Sequence, residues 1–192
     1  MDIKQTLFGT QSDQPTPEVG VQLDRLVMPF VLDACCGSRM MWFDKNDSRA
    51  LFQDCREEVH QIAPNRGWPS GTTIHVAPDV VGDFSDMVWC ADGAFAVCVF
   101  DPPHLRDTKS GLRANGLMSK RYGLLREGWE SVISQGFAEC FRVLRPGGVL
   151  VFKWGETEIP LSKILKLTKE KPLFGHHSGK KMGTHWVIFL KA

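Results

Sequence analysis

Ala94 to Phe100 is an unbroken apolar run that ends abruptly in Asp101-Pro102-Pro103-His104. Such a run reads as a strand buried on both faces, the interior of a parallel sheet. The prolines forbid its continuation, because each removes an N–H and fixes φ. A carboxylate, a rigid loop and an imidazole are therefore presented at the C-terminal edge of a central strand, where open α/β sheets hold their ligands. A carboxylate there is placed to accept hydrogen bonds, or a proton, from a reacting group. A second apolar run, Val149 to Trp154, carries Lys153 near its end, either in the same pocket or in a salt bridge.

Three further acids close candidate strands. Asp33 ends Phe30-Val-Leu-Asp33 and opens Ala34-Cys35-Cys36-Gly37-Ser38-Arg39. Backbone amides in such a turn, leading into a helix N-terminus, favour polar or negative ligand groups. Gly37 would allow a ligand to approach the backbone closely. Asp54 ends Ala50 to Asp54. It lies about 20 positions beyond Asp33, the spacing at which a carboxylate accepts hydrogen bonds from ribose hydroxyls. Asp44 and Asp47 are alternative ribose ligands across the same short crossover. Asp83-Phe84 ends a third strand, over 78–83, and offers a carboxylate and an apolar wall to an adenine ring.

These groups need a sheet to bring them together. From Met28 onward, short apolar runs alternate with connecting segments, the pattern of an α/β domain. Ile133, Phe137, Cys140, Phe141 and Leu144 recur with the period of one apolar helical face, and Pro146-Gly147-Gly148 stops that helix. Thr72 to Val76 reads as a small extra strand or hairpin, and a short helix is expected over 161–168. Strands near 172–176 and 184–190 enclose only a turn, so they must run antiparallel. The chain thus predicts a mostly parallel seven-stranded sheet with an antiparallel C-terminal strand and reduced helices, in one domain over 28–192. Residues 1–27 are polar and read as an extension.

Composition bounds the alternatives. The 192 residues carry 23 basic and 22 acidic side chains, so net charge does not point to a partner. Six cysteines without a CxxC pair suggest reduced thiols rather than disulfides or structural zinc. No apolar run approaches the roughly 20 residues that span a bilayer, and no basic-then-apolar leader opens the chain. A soluble cytoplasmic protein is the expectation. His176, His177 and His185 have no acidic partner or second ligand pair nearby in sequence, and no metal site is expected.

Asp101-Pro-Pro followed by a ring, with Asp33-x-x-Cys-Gly-Ser upstream, resembles the motifs of amino-group methyltransferases that use S-adenosylmethionine. Asp33 through Lys45, Phe100 to Leu105, Phe152-Lys-Trp154 and Pro172 to His176 are also similar to small phage and prophage proteins described as such methyltransferases. The resemblance covers residues 30–192. It implies a Rossmann-like class I methyltransferase fold and S-adenosylmethionine as cofactor. Asp33, Cys35, Gly37, Ser38, Asp54, Asp83 and Phe84 would lie on the cofactor side. It gives Asp101 and the Pro102 carbonyl the role of accepting hydrogen bonds from the target amine, turning its nitrogen toward sp³ geometry. Pro103 stiffens the loop, and His104 takes the place of the usual stacking Tyr, Phe or Trp. The motif departs from D-x-G-x-G-x-G, keeping only the middle glycine and placing Arg39 where the third stands.

The acceptor is read from charge. Arg106, Lys109, Arg113, Lys120, Arg121 and Arg126 crowd the segment after the motif, placed as a lid or substrate loop. Lys163, Lys166, Lys169, Lys171, Lys180 and Lys181 form a second basic group, while Tyr122, Trp129 and Trp154 are candidate stacking surfaces, Trp154 equally reading as core at the end of its strand. The expectation is an N-methyltransferase acting on a nucleobase amine, adenine N6 preferred, in DNA or RNA, with Arg106, Arg113, Lys120, Arg121, Lys153 and Trp154 toward the substrate. Methylation of a nucleotide, a protein glutamine or another small acceptor is the second reading. A non-catalytic cofactor-binding subunit is the third.

Overall fold

A computed structural model describes residues 29–107, 116–178 and 183–192. The expected extension over 1–27, and Lys109, Arg113, Lys180 and Lys181, lie outside the described residues.

The strands are β1 (Val31–Asp33), β2 (Ala50–Asp54), β3 (Glu58–Ile62), β4 (Thr72–Val76), β5 (Val80–Val81), β6 (Phe95–Phe100), β7 (Leu144–Gly155), β8 (Phe174–Ser178) and β9 (Thr184–Leu190). The helices are α1 (Leu117–Tyr122), α2 (Trp129–Val143) and α3 (Leu161–Ile164), the last running into a 3₁₀ turn over Leu165–Leu167. Seven strands make one sheet in the order β5-β2-β1-β6-β7-β9-β8. Pairings from β5 to β7 are parallel, whereas β9 runs antiparallel to both β7 and β8. The seven strands match the sequence reading, apart from their ends. The third shrinks to Val80–Val81, and the fifth starts at Leu144, upstream of the Pro-Gly-Gly.

Crossovers set the shape. No helix separates β1, β2 and β5 among the described residues. Between β2 and β5 the chain instead folds Glu58–Ile62 against Thr72–Val76 as an antiparallel hairpin. Thr72–Val76 carries a hairpin signal in sequence. Its partner, Glu-Val-His-Gln-Ile, alternates in a way that only the pairing makes legible.

The core lies where the helices are. α2 turns Ile133, Phe137, Cys140 and Phe141 inward, as its period requires. Phe137 packs on Phe152 at 4.9 Å, Phe100 at 5.4 Å and Phe189 at 6.0 Å between ring centres. Such pairs contribute about 0.5–1.5 kcal/mol each beyond their buried area. Lys191 caps the end of α2, donating to the Leu144 carbonyl at 2.5 Å. Gly136 is needed for close packing, since a Cβ there would meet Phe84 at 2.6 Å and Phe100 at 2.8 Å. Among the described residues no helix is long and apolar enough to cross a membrane.

Candidate active site

A cleft of about 720 Å³ opens at the C-terminal ends of β1, β2 and β6. Cys35 and Gly37 follow β1, Asp54 to Arg56 close β2, Phe84 follows β5, and Asp101 and Pro103 follow β6. Glu58 and His60 of the hairpin form one further wall. The segment over 119–126 forms the other, with Ser119, Lys120, Tyr122 and Arg126 on the lining. Strand ends thus supply the floor, and two excursions from the sheet supply the sides.

Asp54 is the most heavily engaged carboxylate. Its Oδ1 accepts from the Arg56 amide and Nε, both at 3.0 Å. Its Oδ2 accepts from the Gly37 amide at 2.9 Å and Arg56 Nη2 at 3.3 Å. The same guanidinium donates to the Lys120 carbonyl at 3.2 Å and the Arg121 carbonyl at 3.4 Å. Arg56 therefore ties the end of α1 to the end of β2. Sequence reading missed it, although a basic residue two positions beyond a strand-ending acid was the available signal.

The turn after Asp33 differs from expectation. No helix follows it, and its amides are held by the protein: Cys36 N–H by the Gln53 carbonyl at 2.7 Å and Gly37 N–H by Asp54. Gly37 has φ +50, and the close approach it permits is that of the Arg121 carbonyl, 2.8 Å from where a Cβ would stand. Arg39 takes φ 53, the left-handed conformation that favours glycine. Its guanidinium lies over the Phe52 ring at 3.8 Å and donates to the Ala77 carbonyl at 2.7 Å and Asp79 at 2.9 Å. Arg39 thus covers the sheet face where a crossover helix is missing. Asp44 and Asp47 do not line the cleft; Asp47 is paired with Arg49 at 2.6 Å.

Asp33 is fully buried and accepts from Trp42 Nε1 at 2.7 Å. Burial pushes its carboxyl from 3.8 up to about 7, against the lowering effect of that bond and the Cys35 amide. Cys35 faces the cleft with its thiol held well above the usual range by burial. The Ser38 hydroxyl is buried and finds no partner among the described residues. Asp83 is a correction: its carboxylate takes Ser85 N–H at 2.8 Å and Oγ at 2.7 Å and stays outside the cleft lining. Phe84 does form an apolar wall, edge-on to Phe100 at 5.1 Å.

On the other side, Asp101 meets Lys153 Nζ through Oδ2 at 2.5 Å. The Asp101 side chain is 8% exposed and that of Lys153 22%. Burial raises the Asp101 carboxyl above its ordinary range, while the charge and hydrogen bond of Lys153 pull it down. Pro102 is buried, and Pro103 packs against Gly123, whose φ of 74 turns the chain out of α1. The His104 ring lies on the β7 backbone, where a Cβ on Gly155 would come within 2.9 Å of it. Its Nδ1 is buried without a partner among the described residues, and burial lowers the pKa of the ring. Tyr122 stands 6.5 Å from it, centre to centre.

The expected substrate contacts divide. Lys120 lines the cleft. Arg121 instead lays its guanidinium 5.4 Å from the Trp68 ring of the hairpin, and Arg106 lies 3.9 Å from Glu158. Lys153 is the salt-bridged alternative. Trp154 is a correction: it is fully buried, donates to the Ile159 carbonyl at 2.9 Å and stacks with Phe152, so no face remains for a base. No lysine of the second basic group borders the cleft among the described residues. His185 does have an acidic partner, Glu156, which β7 brings to it from far along the chain.

The strand order, with antiparallel β9 between β7 and β8, defines the Rossmann-like class I methyltransferase fold. Two solved structures are similar in shape. The PH0226 protein from Pyrococcus horikoshii OT3 is 12% identical, with 84% of this chain and 81% of that one covered, at a TM-score of 0.49. An S-adenosylmethionine-dependent methyltransferase from Methanosarcina mazei is 14% identical over 84% of this chain and 91% of that one, also at 0.49. No family model matches the sequence, and no curated protein does.

Proposed function

We propose that this protein is an S-adenosylmethionine-dependent N-methyltransferase whose acceptor is a nucleobase exocyclic amine, adenine N6 preferred, in DNA or RNA. The observation that carries the reading is Asp101. It ends the central strand of a methyltransferase-type sheet, on a double-proline loop, and opens into the cleft with only one oxygen engaged.

The cleft fits the cofactor in size, being within the range of small-molecule sites. Phe84 supplies an apolar wall, and Asp54 stands at the end of β2 where ribose is read. For Asp54 to accept ribose hydroxyls, bonds from Arg56 must be exchanged, because both carboxylate oxygens already take two donors each. When bound, the cofactor supplies an activated methyl group. The chain's own part is to orient the nucleophile. Asp101 Oδ1 and the Pro102 carbonyl accept the two amine hydrogens, which draws the nitrogen lone pair out of conjugation with the ring. His104 and Tyr122 offer ring surface beside that position. Lys120 and Arg126 at the mouth suit phosphates of a nucleic acid.

Calorimetric titration with S-adenosylhomocysteine, followed by labelled methyl transfer to DNA, RNA and adenosine, tests the reading. Micromolar binding with transfer to a polymer supports it. Transfer to adenosine alone would move the assignment to a small-molecule enzyme, and binding without any transfer would move it to a cofactor-binding subunit.

A further inference from the structure

Asp101 and Lys153 come from adjacent parallel strands, whose register sets Phe100 beside Phe152. The next residue on each is therefore forced into the neighbouring position at the sheet edge. Among the described residues their contact at 2.5 Å is the shortest link between a carboxylate of the cleft and a cation, and no other described group donates to the Asp101 carboxylate. Lys153 is also held from behind by the Trp186 ring of β9, with Nζ 5.7 Å from its centre.

We propose that Lys153 is a positioning residue of the transfer reaction, holding Asp101 in its ionised form and occupying Oδ2 so that Oδ1 alone faces the acceptor amine. The inference rests on the methyltransferase reading of the same site. An acceptor amine needs a partner that accepts its N–H. A protonated carboxyl in that place offers an O–H to the nucleophilic lone pair instead, which opposes attack.

The surroundings make the cation necessary. Burial alone favours the neutral acid at Asp101. Asp33, at the end of the neighbouring β1, is a second acid within reach of its charge. His104, on the same loop, sits in a buried position that disfavours its charged form, and Glu158 adds further negative charge near it. Tyr122 of α1 faces His104 without adding positive charge at neutral pH. Lys153, by charge and by hydrogen bond, is thus the strongest influence set against the burial of Asp101, ahead of His104. Its contact also fixes the carboxylate's rotation and leaves Oδ1, on a residue of the cleft lining, without a donor among the described residues.

The test uses the full chain with Lys153→Met, Lys153→Gln and Lys153→Arg, checked for folding by circular dichroism. Asp101 is followed by carbon-13 resonance of labelled aspartate side chains, with its signal assigned by Asp101→Asn. In Lys153→Met and Lys153→Gln the Asp101 titration should move up by about one pH unit or more, and Lys153→Arg should restore it. If Lys153→Met fails to fold, the glutamine variant, which keeps a donor without the charge, carries the comparison. Methyl transfer should lose kcat rather than KM, with its acid limb displaced upward by the same amount, while S-adenosylhomocysteine affinity is retained. An Asp101 titration in either neutral variant that matches the wild type overturns the proposal. Absence of transfer by wild-type protein on every acceptor, with the resonance shift present, would instead sink the methyltransferase reading and leave the hold of Lys153 on Asp101 intact.

Discussion

The two halves of the cleft each end a strand in a carboxylate paired with a cation, yet the pairs are built differently. Asp54 accepts four hydrogen bonds, and its partner Arg56 reaches on to the carbonyls of α1. Asp101, on the cleft lining, takes one, from Lys153, and keeps Oδ1 without a donor among the described residues. The surroundings differ in the same sense. Around Asp101 the sheet is backed by α2 and a continuous set of aromatic rings. Around Asp54 no helix lies in the crossovers between β1, β2 and β5 among the described residues, and a small cluster of Cys36, Ala50 and Phe52 is covered by Trp42 and Arg39. Where packing is dense, an acid can be left with a free oxygen. Where it is thin, the acid is needed as a structural hub.

Removing each acid separates the two roles. Asp101→Ala should lower methyl transfer by about 100-fold or more while leaving S-adenosylhomocysteine affinity close to wild type. Labelled transfer measured beside calorimetry checks this, and retained turnover would break the comparison on its catalytic side. Asp54→Ala should behave oppositely, costing about 3–5 kcal/mol of stability because Arg56 is left largely buried without its counter-charge. Urea unfolding reads that loss; an unchanged midpoint would mean the hub is dispensable.

Smaller effects sharpen the contrast. Arg39→Gly relieves a left-handed backbone but loses the Phe52 contact and the bonds to Lys45, Ala77 and Asp79. The balance should be a loss of about 1–3 kcal/mol, visible in the same unfolding experiment. A net gain in stability would show that the clamp does not replace a helix. Asp33 gives the smallest signal, through pH. Its carboxyl titrates near 7 when folded rather than 3.8, so the folded chain holds more protons between those values. That favours folding at the acid end of the window, and the contribution is lost as pH rises toward 7. Asp33→Asn should flatten this decline, measured by unfolding at about pH 5 and about pH 8. Equal slopes in the two proteins would place the dependence elsewhere.

Much of this architecture was readable in the chain. Acids and prolines at the ends of apolar runs marked the strand edges, and the α2 period marked the helix that backs them. What was not readable depended on partners far apart in sequence. The Arg56 bonds to α1 cross more than sixty positions, and the Lys153–Asp101 pair crosses 52. Trp154 looked like a stacking surface because its run is apolar either way; only the packing shows that it is core.

The sequence by itself determined the order of the seven strands of the main sheet, the sheet edge on which the acids fall and the Asp-Pro-Pro loop, because periodicity and proline act locally. The tertiary structure alone decided which acid is saturated and which keeps an oxygen without a donor, because that depends on where the Arg56 and Lys153 side chains settle and on how much water the packing excludes.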